Sequence, residues 1–479
     1  MKQLAQLQPE SVFRYFEEIA AIPHGSQNMK AISAYCLKFA KEHKLKAQQD
    51  EAGNVIIWKD GTAGQKEQAP IILQGHLDMV CQKTEDSTFD FAQDGLQLFV
   101  DGDFLKAKDT TLGADNGIAV AMILSILADE TISHPPIEAV FTTDEEIGMI
   151  GAGKLDFTKL KGRRMINLDD EEQDVLTVSC AGGSNFHVNL KLKRKTVKGT
   201  KVTLFLRGLM GGHSGVEIHK GRVNGGILAG RVLNTLGQLV DFDLLSIHGG
   251  DKGNAIIPSA TIEFVAQDVN RLSQLLEKHL CTIHKEILSR EPHFKPEIVI
   301  GAKGEFTVFA QEAKEEIVHF LQTMPNGVME MSAEIEGLVE TSLNLGVLQT
   351  NDQGITAHFT LRSNKKSALL YLEERLVSIA VYHKWDYEVS GHYPSWEFKE
   401  NSQLQSIYKA TFLEKFGYEP NVAAIHAGLE CGIFADHLKD LDCIAVGPWM
   451  YDVHTVHERL SISSTGDMYA LLLRVLEKL

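Results

Sequence analysis

The run Pro70-Ile71-Ile72-Leu73 is apolar at every position and stops at Gly75-His76-Leu77-Asp78. A strand that is apolar on both alternating faces must be covered on both sides, which is the signature of a parallel sheet packed between helices. The same design recurs. The run from Ile137 to Phe141 leads into Asp144-Glu145-Glu146, and Met165-Ile166-Asn167-Leu168 leads into Asp169. Helical spacing lies between and before them. Val12, Phe16 and Ile19 follow Pro9, which suits a first helical turn, and Ile32, Tyr35, Cys36 and Phe39 form a second stripe. A broadly apolar helix is expected from about Asn116 to Ala128. Strands alternating with helices imply an α/β domain with a mostly parallel central sheet flanked by helices.

Near residue 186 the pattern changes. Phe186-His187-Val188-Asn189-Leu190 and the stretch Val202 to Leu206 alternate with period two, as half-exposed strands do. Helices are expected near 222–239, 271–289, 311–322 and 365–383, with strands at 260–267, 340–348 and 354–362. From about 392 the first style returns: Ala423-Ala424-Ile425 leads to His426, Cys443-Ile444-Ala445-Val446 leads to Gly447, and a last helix runs from about Thr465. The economical reading is a catalytic domain split into 1–185 and 392–479, with an inserted α+β lid domain at 186–391.

A chain of 479 residues exceeds one ordinary core, consistent with more than one domain. Its formal charge of −17 argues against a nucleic-acid partner, which needs concentrated Lys and Arg. Met1 to Pro9 lacks the basic start and apolar run of a signal peptide. The longest apolar run, Ile118 to Leu127, is too short for a bilayer and contains Ser125, so no membrane span is expected. The six cysteines (36, 81, 180, 281, 431 and 443) form no CxxC pair, which favours free thiols and a cytoplasmic location.

In open α/β sheets ligands gather beyond the carboxyl ends of the strands, so His76, Asp78, Glu145, Glu146, Asp169 and the loop holding His454 would share one rim. Taken singly, each has an ordinary explanation. His76 could be a satisfied strand-end histidine, Glu145-Glu146 and Asp169-Asp170-Glu171-Glu172 could be solvated acidic turns, and Asp115 could cap the helix that follows. Together, His76, Asp115, Glu146, Asp169 and His454 would be costly to bury at one edge without a cation. Imidazole with carboxylate suits zinc, cobalt or manganese better than magnesium. Two ions need a shared carboxylate, for which Asp115 is the best candidate. Glu145, beside a ligand, could take a proton from the attacking water, and Asp78, two residues past His76 on a strand, could orient its ring.

The motifs His76-Leu77-Asp78, Leu112-Gly113-Ala114-Asp115-Asn116, Thr143-Asp144-Glu145-Glu146-Ile147-Gly148, Asn167-Leu168-Asp169 and His454-Thr455-Val456-His457-Glu458 stand in the order found in the co-catalytic zinc peptidases. That group also holds aminoacylases, acetylornithine deacetylase and glutamate carboxypeptidases. Within it the chain most resembles the aminoacyl-histidine (Xaa-His) dipeptidases, also called cytosolic non-specific dipeptidases. The likeness runs nearly end to end, through Cys180-Ala181-Gly182-Gly183, Gly211-Gly212-His213-Ser214-Gly215, Asn254-Ala255-Ile256, Pro325-Asn326-Gly327-Val328 and Ile425-His426-Ala427-Gly428-Leu429-Glu430-Cys431-Gly432.

The resemblance implies two divalent ions, zinc before cobalt or manganese. One would be held by His76 and Asp169, the other by Glu146 and His454, with Asp115 bridging. It implies Glu145 as general base and then proton donor, and Asp78 as the residue steering His76. His213 would stabilise the transition state, often across a dimer interface, and Asn254, Arg362 and Gly428 would grip the substrate backbone and its terminal carboxylate. A homodimer acting on unblocked dipeptides, Xaa-His among them, is expected. Two rivals share the family, an N-acyl-amino-acid deacylase and a tripeptidase; a non-catalytic metal or peptide binder would be expected to have lost Glu145 or a ligand. One motif departs from the family, where His-Ser-Pro and an acid usually stand at 454–457. His457 is therefore a competing ligand candidate.

Overall fold

In a computed structural model, residue 4 and residues 6–479 are described, and they form two compact units. The first comprises the described residues up to Cys180 with Trp396–Ala424 and Leu429–Leu479; the second comprises Ala181–Ser395 with Ile425–Gly428. The second unit thus opens at Ala181 rather than at 186 and closes at Ser395 rather than at 391. The reason is pairing: Gly182–Lys191 is bonded along its whole length to Gly354–Ser363, and on its other side to Asp386–Tyr393. Its glycine-rich beginning therefore belongs to the second sheet.

In the first unit an eight-stranded sheet runs in the order Lys46–Gln49, Val55–Lys59, Ile137–Thr142, Ile71–His76, Arg164–Asn167, Asp442–Ala445, Val175–Cys180 and Asn421–Ile425. The parallel part is confined to Ile137–Thr142, Ile71–His76, Arg164–Asn167 and Asp442–Ala445. Antiparallel strands flank it on either side. Every residue of Ile71–His76 and Ile137–Thr142 is buried, as continuous apolar strands covered on both faces require. Among the coverings is the helix Ala114–Ala128, buried around nearly its whole circumference. Gly75 lets it approach, because a Cβ there would stand 2.5 Å from the Asn116 amide oxygen and 3.0 Å from the Ala119 methyl. A small antiparallel sheet of Met450–Tyr451, Arg459–Ser461, Phe104–Ala107 and Leu98–Asp101 lies in the same unit.

The second unit is built on a nine-stranded antiparallel sheet. Helices Gly225–Gly237, Val269–Ile287, Gln311–Thr323 and Lys366–His383 contribute to its apolar core, with Leu233, Leu276, Phe320 and Leu376 among the fully buried side chains. No helix among the described residues is long and apolar enough to cross a membrane.

Candidate active site

Each of the four parallel strands of the first unit leads, at its carboxyl end, into a residue of one cluster. His76 ends its strand; Glu145 and Glu146 follow Ile137–Thr142; Asp169 follows Arg164–Asn167; and the chain beyond Asp442–Ala445 reaches His454. Asp115 arrives from the first turn of Ala114–Ala128, after Gly113 in a left-handed conformation (φ 66°). Asn116 binds these parts together. Its side-chain oxygen accepts from the His76 N–H at 3.2 Å, and its amide group donates to the Leu168 carbonyl at 2.8 Å.

Asp115 divides its two oxygens. Oδ1 lies 3.1 Å from His76 Nε2, which is itself 3.4 Å from Asp169 Oδ1. Oδ2 lies 3.0 Å from His454 Nε2, which is also 3.0 Å from Glu146 Oε1. The ligand atoms of His76, Asp115 and Glu146 lie within 4.8 Å of one another, a grouping able to hold a metal ion. His457 is exposed and lines a cavity of about 530 Å³ with Lys106, Lys108 and Arg459.

Asp78, only 1% exposed, braces this cluster. Its Oδ1 accepts from the Glu145 N–H at 3.0 Å, and its Oδ2 from the Glu146 N–H at 3.2 Å and the Ser26 hydroxyl at 2.9 Å. The ring of His76 is held by both ends of the residue, with Nδ1 3.0 Å from the Asp78 carbonyl and 3.4 Å from its carboxylate.

Negative charge exceeds positive charge here, and the titrations respond. Burial, only partly offset by His76, raises Glu145 well above the ordinary carboxylate range, with Asp169, Glu430 and Glu146 adding to the rise. Burial likewise lifts Asp169 to about 6 and Glu430 to about 7. Burial pushes His76 down, but Asp169, Asp115 and Asp78 overcome it and raise the imidazole well above its usual value. Hydrogen bonds to Asp115 and Glu146 carry His454 up to about 11. Acids pushed toward protonation beside imidazoles pulled toward it are what a donor set short of positive charge produces, so a dication fits these residues.

In the second unit the short strand Gly212–His213 pairs with Ala255–Ile256, and the Asn254 carbonyl accepts from the Ser214 N–H. His213 Nδ1 accepts from the N–H groups of Gly215 and Val216, both at 3.2 Å, which leaves the ring hydrogen on Nε2. Burial and Arg362 hold its pKa below the usual value. Arg362 is 7% exposed; Nη1 donates to the Tyr393 hydroxyl at 2.7 Å, and Nε is buried without a hydrogen-bond partner. A Cβ at Gly215 would stand 3.1 Å from that nitrogen. His426 Nε2 lies 2.7 Å from Ser342 Oγ and Nδ1 lies 3.1 Å from Asn364 Oδ1. Burial, Arg362 and His213 depress it to about 3. Asn254 is exposed, and Gly428 is half-buried in the segment Ile425–Gly428.

Several contributors escaped the sequence reading. Asn116 stands in the Asp115 motif without an assigned role and Gln74 stands in an apolar strand, although a buried amide within a strand or helix run is itself a signal of a network. Gln74 donates to Glu430 and Thr142 and accepts from Asn167, forming a polar layer among the parallel strands. Tyr393 carried no local signal, and Glu458 stood only as the last residue of the His454 motif, with no role of its own.

Comparison with known proteins identifies the family. Residues 72–478 match peptidase family M20/M25/M40. The chain is 36% identical, over 100% of its length and 99% of the relative's, to the cytosol non-specific dipeptidase of Escherichia coli (strain K12). The crystal structure of aminoacylhistidine dipeptidase from Vibrio alginolyticus superimposes with a TM-score of 0.91 at 36% identity, covering 99% of this chain and 98% of that one. A tripeptidase from Staphylococcus aureus shares the fold at 15% identity and a TM-score of 0.53, with 98% of each chain covered. The chain belongs to peptidase family M20/M25/M40 and is a peptide hydrolase.

Proposed function

We propose that this chain hydrolyses the peptide bond of unblocked dipeptides, Xaa-His among them, at a site for two divalent ions. The observation that carries the reading is the division of Asp115: one oxygen faces His76 and the Asp169 side, the other faces His454 and Glu146. A carboxylate placed in this way suits a bridge, with one imidazole and one further carboxylate on each side. Imidazole and carboxylate together favour zinc, with cobalt or manganese as substitutes. When bound, such ions would acidify the attacking water and polarise the scissile carbonyl.

The remaining steps belong to the chain. Glu145 accepts the proton of the attacking water and delivers it to the leaving amine; its raised pKa suits a group that must both take and give a proton near neutrality. Asp78 holds the His76 ring and the Glu145-Glu146 turn in register. His213, neutral and with its hydrogen on Nε2, donates to the oxyanion. The Arg362 guanidinium, with a buried unpaired N–H, takes the terminal carboxylate of the substrate, aided by Asn254 and the backbone at Gly428. On this reading the second unit is an inserted substrate-binding and dimerising lid, the assembly a homodimer, and the location cytoplasmic.

The test is to strip the protein with a chelator and add back zinc, cobalt or manganese over a panel of dipeptides, tripeptides and N-acetyl amino acids. Restored cleavage of free dipeptides, lost when the N-terminus is acetylated, is expected. Preference for N-acetyl amino acids or for tripeptides would replace the proposal with a deacylase or a tripeptidase.

A further inference from the structure

Glu458 is 3% exposed, and both of its oxygens are fully engaged by backbone. Oε2 accepts from the N–H groups of Leu112 at 2.7 Å and Gly113 at 3.1 Å; Oε1 accepts from Ala114 at 2.8 Å and Asp115 at 3.4 Å. One side chain thereby collects four consecutive amides that end at Asp115. The same residue closes the turn that presents His454. Within that turn the Thr455 hydroxyl donates to the Asp452 carbonyl at 2.7 Å, the Glu458 N–H donates to the Thr455 carbonyl at 3.2 Å, and Arg459 pairs with Asp452. Directly after Glu458 the chain enters Arg459–Ser461, which pairs with Phe104–Ala107. The turn itself is conformationally demanding, since Asp452 (φ 52°) and His454 (φ 64°) are both left-handed without being glycine. Such a turn keeps its shape only when its surroundings impose it.

We propose that Glu458 is a positioning residue that sets the separation between the Asp115 carboxylate and the His454 imidazole, and so tunes the affinity of the ion those two share. The inference rests on the two-ion reading above. No oxygen of Glu458 remains to act as a ligand itself, because each already serves two N–H donors. Capping the helix alone would also use these amides, but it would not require the capping carboxylate to come from the turn that carries His454.

The experiment titrates zinc into the metal-free wild type and the E458Q, E458D, H457A and H454A variants, with folding followed by circular dichroism. In E458Q the amide group would face backbone N–H groups, and in E458D the carboxylate would be drawn back by one methylene. Each is expected to retain one ion near wild-type affinity and to bind the other about 10–100-fold more weakly. The same variants should lower kcat with little change in KM, while H457A behaves as wild type. Wild-type affinity for both ions in a folded E458Q or E458D would overturn the positioning role. If neither variant folds, the residue serves the fold alone, and the proposal is equally overturned. A wild type that binds fewer than two ions, or an H454A that binds both as tightly as wild type, would instead remove the reading on which the proposal rests.

Discussion

Replacing Asp78 by asparagine keeps the shape of the side chain and removes its charge, which makes D78N a sharp test of the brace beneath the metal cluster. Burial would push this carboxyl up, yet His76, the Glu145 N–H and Ser26 outweigh it and hold it below the usual range, so the brace is ionised at neutral pH. Its carboxylate serves three hydrogen-bond donors: Glu145 N–H, Glu146 N–H and the Ser26 hydroxyl. An asparagine oxygen can keep Glu145, and the Ser26 hydroxyl can rotate to accept from the new amide. The Glu146 N–H is then left facing another donor, and an orphaned buried donor costs about 1–3 kcal/mol. The surviving bonds also lose their charge assistance. Glu146 is a proposed ligand, so the loss appears where the second ion binds. Loss of a supporting partner of this kind costs about 10–100-fold in metal affinity, or about 1.4–2.7 kcal/mol. The assay is competition between D78N and a chromophoric chelator for zinc, with the melting temperature of the metal-free protein as control. Zinc affinity within about twofold of wild type, alongside unchanged kcat/KM, would refute the brace.

E145Q should lower kcat by about 10²–10⁴-fold while metal content measured by mass spectrometry stays at the wild-type value; full activity would remove Glu145 as the base. R362K should raise KM for free dipeptides by about 10–100-fold, as loss of a charge-assisted hydrogen bond predicts, and leave dipeptide amides unaffected. A shift of equal size on the amides would show that Arg362 does not bind the carboxylate. His426 is depressed to about 3 in the folded chain, against about 6.5 when unfolded, so between these values the unfolded state binds the extra proton. Stability from this residue is therefore present above pH 6.5 and lost as pH falls toward 3, with a slope approaching about 1.4 kcal/mol per unit. Unfolding free energies from urea titrations of wild type and H426Q between pH 7 and pH 4 should diverge by that slope, and parallel curves would contradict it.

The parts of this molecule that were readable in one dimension are those where burial on both faces makes a strand largely apolar, with Gln74, Glu138 and Asn167 among the buried exceptions. Ile71–His76 and Arg164–Asn167 announced themselves, and so did the polar residues that ended them. In the second unit the strand Gly182–Lys191 was visible through the period-two burial of its stretch from Phe186 to Leu190. Strand Glu297–Phe309 was not, because an edge strand exposed along most of its length needs no apolar alternation. The five expected ligand residues could be picked out by their places at strand ends and in motifs. The braces could not. Glu458 is an acid in a polar turn, and only the amides of Leu112 to Asp115, more than three hundred positions earlier, distinguish it from a solvated side chain. Tyr393 is recognisable only once its strand has been laid beside Gly183.

The placement of Asp442–Ala445 between Arg164–Asn167 and Val175–Cys180 bears on how the protein is made. A ribosome delivers His76, Asp115, Glu146 and Asp169 long before it delivers this strand, so the emerging sheet ends at Arg164–Asn167, and Val175–Cys180 waits for both of its neighbours, Asn421–Ile425 and Asp442–Ala445. Completing the sheet requires contact between segments separated by the whole of the second unit, which is the kind of long-range pairing that slows folding and exposes sticky intermediates. The second unit, nearly continuous in sequence, is free to fold while the first waits. The same delay reaches the candidate site. His454 and Glu458 emerge only after the closing strand, so an unfinished chain lacks the imidazole proposed to share an ion with Asp115.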